Sequence, residues 1–343
     1  MKQILTTSAA LLVGLAALSN KPAVEEVDLS LRFQKGQTFT LGSTTGFDMA
    51  LDELSVMVDG AEVLGDGIGF EMLMEATESR TIEVLEVADG EITALRITFD
   101  EMDGEIEASF DAMGEADSMN ETIDAPTTGH TIEVRLDEDG EVVATDVTED
   151  AAEPVDDAVL AALDLSPMLD ELLPTEPVAV GEEFELGEDW RELMEQAMDL
   201  GMAGAASELG ETDIAAMGAM METIMDAVSF EATGKVTGVE DGMATIEYEI
   251  TVSMELDDLV GMAAEIAPEA GEIPPGVEAS LLAGVELTGT GMFDLELGQL
   301  VSLELEGDMS MEMDGAADMQ GTSAEAAAAM SGTTTTKMTV GVE

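Results

Sequence analysis

From Ala244 to Leu256 every second residue is apolar: Ala244, Ile246, Tyr248, Ile250, Val252, Met254 and Leu256, with Thr245, Glu247, Glu249, Thr251 and Ser253 between them. A period of two puts all of the first set on one face of a strand and leaves acids and hydroxyls on the other. Phe230, Ala232, Gly234 and Val236 keep the same parity upstream of Glu240-Asp241-Gly242, which reads as a three-residue hairpin loop closing on a left-handed Gly. Nearer the C-terminus, Val285, Leu287, Gly289, Gly291, Phe293 and Leu295 form one apolar row. Val301, Leu303, Leu305, Met309, Met311 and Met313 form a second across a turn at Gly298. Ala88-Asp89-Gly90 and Glu138-Asp139-Gly140 punctuate the N-terminal half in the same way, between 81–87 and 91–99 and between 131–136 and 141–147.

Elsewhere the period changes. Trp190, Leu193, Met194, Ala197 and Met198, then Ile214, Met217, Met221, Ile224, Met225 and Val228, recur at helical spacing, as amphipathic helices that need a partner surface. Residues 315–332, including Ala326 to Ala329, read as a low-complexity loop or short helix before a Thr-rich strand ending at Val342. The order of units recurs as well. Lys35-Gly36-Gln37-Thr38-Phe39 answers to Val180-Gly181-Glu182-Glu183-Phe184, the hairpin at Gly90 to that at Gly242, and the hairpin at Gly140 to that at Gly298, with offsets of 145, 152 and 158. Slowly growing offsets are what a collinear duplication leaves.

The fold class is therefore α+β and β-dominated. Two similar antiparallel meander halves form a twisted sheet or incomplete barrel, with amphipathic helices packed on one face. The expected boundaries are a signal peptide at 1–19, an N-terminal meander at 20–155, a helical segment at 156–228 that is strand-like at 178–187, and a C-terminal meander at 229–343.

Charge narrows the setting. Asp and Glu number 77 against 10 Lys and Arg, a net charge of -67, yet 45% of residues are hydrophobic. A disordered acidic tail is poor in apolar residues, so this chain folds beneath a surface that repels anions. Nucleic acid is thereby excluded as a partner. Either the acids coat the surface of a protein that lives in salty water, or some converge on a hard cation such as Ca²⁺. The loops around Asp137-Glu138-Asp139-Gly140 and Asp103-Gly104 lack the ligand spacing of an EF-hand. At the N-terminus, Lys2, an apolar stretch from Ile4 to Leu18 and a small-residue site at Ala17-Leu18-Ser19 have the parts of an export signal. That stretch is short for a bilayer span, so the mature chain is expected in the periplasm or outside the cell without an integral span.

Catalytic chemistry finds little support. With no Cys and a single His there is no disulfide framework, thiolate site or two-His metal centre. His130 lacks the G-x-S-x-G elbow of a hydrolase, and Gly65-Asp66-Gly67-Ile68-Gly69-Phe70 breaks the dinucleotide fingerprint at its last position. Acid pairs say nothing where acids are everywhere. The 26 methionines are the unusual apolar choice. Met309, Met311 and Met313 have the M-x-M-x-M spacing of a thioether copper site, but they also continue an apolar strand face, where Met is ordinarily packing.

Leu31-Arg32-Phe33-Gln34-Lys35-Gly36-Gln37-Thr38-Phe39, the segment from Leu173-Pro174 through Val180-Gly181 to Trp190, and Gly291-Met292-Phe293-Asp294-Leu295 resemble a family of exported bacterial β-rich proteins of unknown function. That family implies no catalytic residues. In architecture alone, a long meander with helices packed on it resembles the lipoprotein carriers, incomplete barrels whose concave face holds acyl chains.

The expectation is an exported non-enzyme that binds a hydrophobic small molecule or lipid on a Met-rich face, without cofactor or metal. Trp190, Met217, Met221, Met225, Phe293, Met309, Met311 and Met313 are its candidate lining. The alternative is a structural or envelope-associated protein with an acidic, salt-adapted surface and no small ligand.

Overall fold

Wherever apolar and polar residues alternate the chain is extended, and most strands run well beyond the turns that announce them. The computed structural model describes residues 26–64, 68–112, 115–123, 127–137, 140–149, 154–161, 163, 165, 172–186, 223, 227–257, 259–261, 277–319 and 322–342. Its strands are β1 (Glu26–Val27), β2 (Thr38–Val58), β3 (Ala61–Leu64), β4 (Ile68–Ala88), β5 (Glu91–Ala112), β6 (Glu115–Ile123), β7 (Thr131–Leu136) and β8 (Val142–Asp146). They continue with β9 (Val178–Ala179), β10 (Glu183–Glu185), β11 (Val228–Glu240), β12 (Met243–Leu256), β13 (Val277–Asp294), β14 (Gln299–Met319) and β15 (Thr322–Val342), and a short helix α1 spans Asp157–Ala161.

Thirteen strands form one antiparallel sheet in the order β10-β11-β12-β13-β14-β15-β2-β4-β5-β7-β8, with β3 beside β2 and β6 beside β5. The path ends at β10 and at β8, so the sheet is open and not closed into a barrel. What reads in sequence as two meanders is one sheet, because β15 pairs with β2 from Val342 opposite Phe39 to Ala324 opposite Val58. Strands β1 and β9 make a separate two-stranded ribbon.

Turn chemistry explains how the apolar rows stay on one face. Only two residues close the β11–β12 hairpin: Glu240 pairs with Met243, and Asp241 (φ 52°) and Gly242 (φ 83°) take the two left-handed positions of a type I′ turn. Such a loop sets even residues against odd and would turn Ile246 away from the face of Val236. A bulge between Val236 and Gly238 supplies the missing residue, so Ile246 faces Val236 and Tyr248 faces Gly234. At the Gly298 turn a register shift after Met292 puts Leu300 opposite Phe293. Leu300 is consequently buried, and Val301, expected in the apolar row, is only half-buried.

Residues 315–319 and 322–332, expected as a loop or short helix, are strand. Ala326 lies mid-strand between Gly315 of β14 and Val56 of β2, and Ala329 between Glu312 and Glu53. The helix preference of Ala is less than about 1 kcal/mol per residue, and strand pairing on both sides outweighs it. Gly332 is required by proximity, since a Cβ there would lie 2.0 Å from the Asp48 carbonyl oxygen. Of the helices expected from Trp190 onward, only Thr223 and Ala227, both helical, and Val228, the first residue of β11, are among the described residues.

The core gathers at the end of the sheet that carries the Gly90, Gly242 and Gly298 turns. Phe39, Ile82, Leu95, Ile132, Ile246, Phe293 and Leu300 are buried there, covered by Leu29, Val155, Val159, Leu172 and Phe184. The Tyr248 hydroxyl donates to the Leu172 carbonyl at 3.1 Å, and burial pushes its pKa up. Residues 28–37 form a strap that ties the Gly298 turn to β4. The Arg32 amide donates to the Gly298 carbonyl (2.9 Å), the Gln299 Nε2 donates to the Arg32 carbonyl (2.7 Å), and the Gly36 amide donates to the Val84 carbonyl (2.8 Å).

Candidate functional site: a methionine-lined sheet face

Beyond the core the apolar face continues along strands of about twenty residues. The candidate lining residues divide there. Trp190, Met217, Met221 and Met225 lie outside the described residues. Phe293, at 0% exposure, belongs to the buried core cluster. Parity places a residue on a face without saying what covers it.

Met309, Met311 and Met313 stay together on β14, the first two half-buried and Met313 45% exposed. Register adds neighbours from distant parts of the chain. Met330 of β15 lies opposite Met311, and Gly332 lies between Met309 and Met49 of β2. Met72 of β4 is opposite Met49, Met74 is opposite Phe47, and Ile106 of β5 is opposite Met74. On the other flank Val285 and Ala283 of β13 face Met309 and Met311, and Met254 of β12 faces Ala283. Met49 is 8% exposed, yet neither it nor Met72, Met74, Met254, Met309, Met311 and Met330 belongs to the contiguous core cluster.

A polar belt separates this region from the core on the same face. Thr45 pairs with Thr336, Ser43 with Glu78, and Arg80 stands between Leu41 and Phe99 with its Nε 3.8 Å from a Glu78 oxygen. The reverse face is acidic. Shallow grooves there are lined by Glu75, Asp103, Glu105 and Glu107, and by Glu247, Glu249, Glu304 and Glu306. Lys337 meets Glu304 at 2.5 Å, and that contact raises its pKa. Among the described residues no three acidic or His side chains converge as a metal cage would, and no helix is long and apolar enough to cross a membrane.

Two ionic networks lie near the core end. Arg96 bridges Glu83 (2.8 Å) and Glu133 (2.7 Å) across β4, β5 and β7, and Arg135 also bonds Glu133. The Arg96 hydrogen bond holds the Glu133 carboxyl below its ordinary range. His130 Nδ1 lies 2.9 Å from Asp146 Oδ2, each side chain 14% exposed. The Thr148 hydroxyl donates to the other Asp146 oxygen at 2.5 Å and accepts from the Thr131 amide at 2.8 Å. A His–Asp pair is part of a hydrolytic triad, but here the hydroxyl is held on the carboxylate, where it locks the exit of β8. Asp146 and Thr148 are partners the sequence reading missed. Asp146-Val147-Thr148 carried the signal, since an Asp commonly accepts from the backbone two residues on.

Burial alone would raise the Asp146 pKa; hydrogen bonds from the Thr148 hydroxyl and amide, from His130 and from the Val155 amide outweigh it and bring it to about 2. A depressed carboxyl contributes stability above its unfolded pKa of about 3.9, and that contribution is lost as pH falls through the folded value. Asp146→Asn is therefore expected to cost about 2 kcal/mol at pH 6 and to approach the wild type near pH 2. Urea denaturation of both proteins along that range checks it, and a gap independent of pH would show that the carboxylate charge is not what matters.

No family model and no curated protein matches the sequence. Among solved structures the chain is similar to lipovitellin, described for its lipid–protein interactions, with a TM-score of 0.29 and 7% identity over 91% of this chain and 26% of that one. The chain thus spans about a quarter of lipovitellin's length. An outer membrane channel from Pseudomonas putida F1 matches with a TM-score of 0.17 and 7% identity, over 91% of this chain and 98% of that one. OccK7 (OpdD) of Pseudomonas aeruginosa gives 0.17 and 7%, over 90% and 100%. No site residue is carried over from these structures.

Proposed function

We propose that this is an exported, non-catalytic protein that holds a chain-like apolar ligand, a lipid or acyl chain, on the methionine-lined half of its sheet. One observation carries the reading: the apolar face continues past Leu305 to Ala317, about 40 Å at strand rise, while the buried cluster stops at the turn end. Unbranched thioethers adapt to ligands of varied shape, and an acidic reverse face keeps the sheet soluble while its other face is apolar. The two similar halves and the helical segment expected at 156–228 belong to the same reading.

Protein stripped of bound lipid is expected to take up a fluorescent long-chain fatty acid, and Met72→Glu or Ile106→Glu to weaken that uptake at least tenfold. Placing a carboxylate where the tail must lie makes its desolvation part of the cost of binding. Native mass spectrometry of protein taken from its own envelope supplies the second reading. A bare mass together with no probe uptake by the folded wild type would replace the proposal with the structural, ligand-free alternative.

A further inference from the structure

The strand register places four thioethers around one point of the sheet. Met309 and Met311 are successive residues on the same face of β14, Met330 of β15 is directly opposite Met311, and Met49 of β2 lies across Gly332 from Met309. Neighbouring strands are about 4.8 Å apart and same-face residues about 6.8 Å apart. A point above β15 near the middle of this quadrilateral is therefore roughly 7 Å from the backbone positions of Met49, Met309 and Met311 and nearer to that of Met330, about the full reach of an extended Met side chain and one metal–sulfur bond together. Small residues surround it: Gly332 opposite Met309, Ala283 flanking Met311 on β13 and Ala328 beside Met313. Long side chains standing among Gly and Ala have room to converge.

The chemistry of the donors selects the guest. Thioethers are soft, uncharged ligands that bind Cu(I) and its congener Ag(I) and reject Ca²⁺ and Mg²⁺, which require oxygen. The chain contains no Cys and one His, so thioethers are its most abundant soft donors. A net charge of -67 draws cations of every kind to the surface, which raises their local concentration without choosing among them. Selection falls to the sulfur atoms.

From this arrangement we infer that Met49, Met309, Met311 and Met330 form a binding site for a soft monovalent cation, Cu(I) or Ag(I). It is a function separate from apolar-ligand binding, although it shares the face. The test uses full-length protein carrying ¹³C-methyl methionine, titrated with silver nitrate in chloride-free buffer and without lipid. One equivalent of Ag(I) is expected to shift the methyl signals of these four residues and leave the remainder of the 26 methionines in place. Combined Met309→Leu, Met311→Leu and Met330→Leu, a volume-conserving change, is expected to weaken Ag(I) binding at least 100-fold. Small shifts spread over all methionines, an affinity within threefold of wild type in the Leu variant, or displacement of Ag(I) by equimolar Ca²⁺ would each overturn the site. Should the Leu variant fail to fold, the methyl shifts of the wild type decide alone. Because no lipid is present, this result and the fatty-acid uptake result stand or fall separately.

Discussion

Phe293→Ala is expected to lower the unfolding free energy by about 3–5 kcal/mol, the range for deleting a large aromatic side chain from a closed core. Phe293 has Ala244 on one neighbouring strand and Leu300 on the other, with no exposure of its own. The turn beside it is held by Arg32 and Gln299, so the surroundings have little freedom to collapse into the void. A lower urea midpoint at unchanged m-value reports the loss. Phe293→Leu retains most of the volume and folds with a smaller deficit, and its fatty-acid uptake is expected to equal that of the wild type. Reduced uptake at near-normal stability would return Phe293 to the ligand surface.

Raising NaCl from about 10 mM to 1 M is expected to stabilise the protein by about 3–5 kcal/mol, because the Debye length contracts from about 30 Å to 3 Å. Register shows where the strain lies: Glu75 is opposite Glu105, and Glu286 is opposite Asp308. Like charges about 5 Å apart in water repel by roughly 0.8 kcal/mol, and directly opposed pairs destabilise a sheet. Several such pairs, together with the long-range field of a chain at -67, reach the expected range. Scanning calorimetry checks it as a rise of about 4–7 °C in Tm. An unchanged Tm in molar NaCl with a sharp rise in micromolar Ca²⁺ would replace the acidic coat with a specific cation site.

The parts of the fold legible in sequence are those fixed by neighbours along the chain. Asp89-Gly90 and Asp241-Gly242 announced their hairpins because only a few residue types tolerate successive left-handed positions. The bulges at Val236/Gly238 and Met292/Phe293 did not show, since one extra residue leaves composition untouched and moves only parity. Hence Val301 was placed in the row that Leu300 occupies. Ala326 to Ala329 were misread because intrinsic preference favours a helix, and the strands that overrule it come from β2 and β14. The same distance in sequence hid most of the site. Met309, Met311 and Met313 could be found by spacing, whereas Met330 joins them only through the β14–β15 pairing, and Met49, Met72 and Met74 only through the β15–β2 and β2–β4 pairings.

Sheet order and chain order disagree most at one strand. β15 follows every other strand in sequence and yet lies between β14 and β2, joining Phe39 to Val342 across about 300 residues. As the chain emerges from the ribosome, twelve strands of the sheet therefore exist before the one that unites them, and the inner edges of β2 and β14 stay open throughout. Pairings this remote form slowly, and open edges invite neighbouring molecules to take the vacant place. Asp48, Asp52 and Glu53 on β2, with Glu306, Asp308 and Glu312 on β14, put negative charge along those edges. The acids are then also guards of the nascent molecule, holding half-assembled copies apart until each supplies its own last strand.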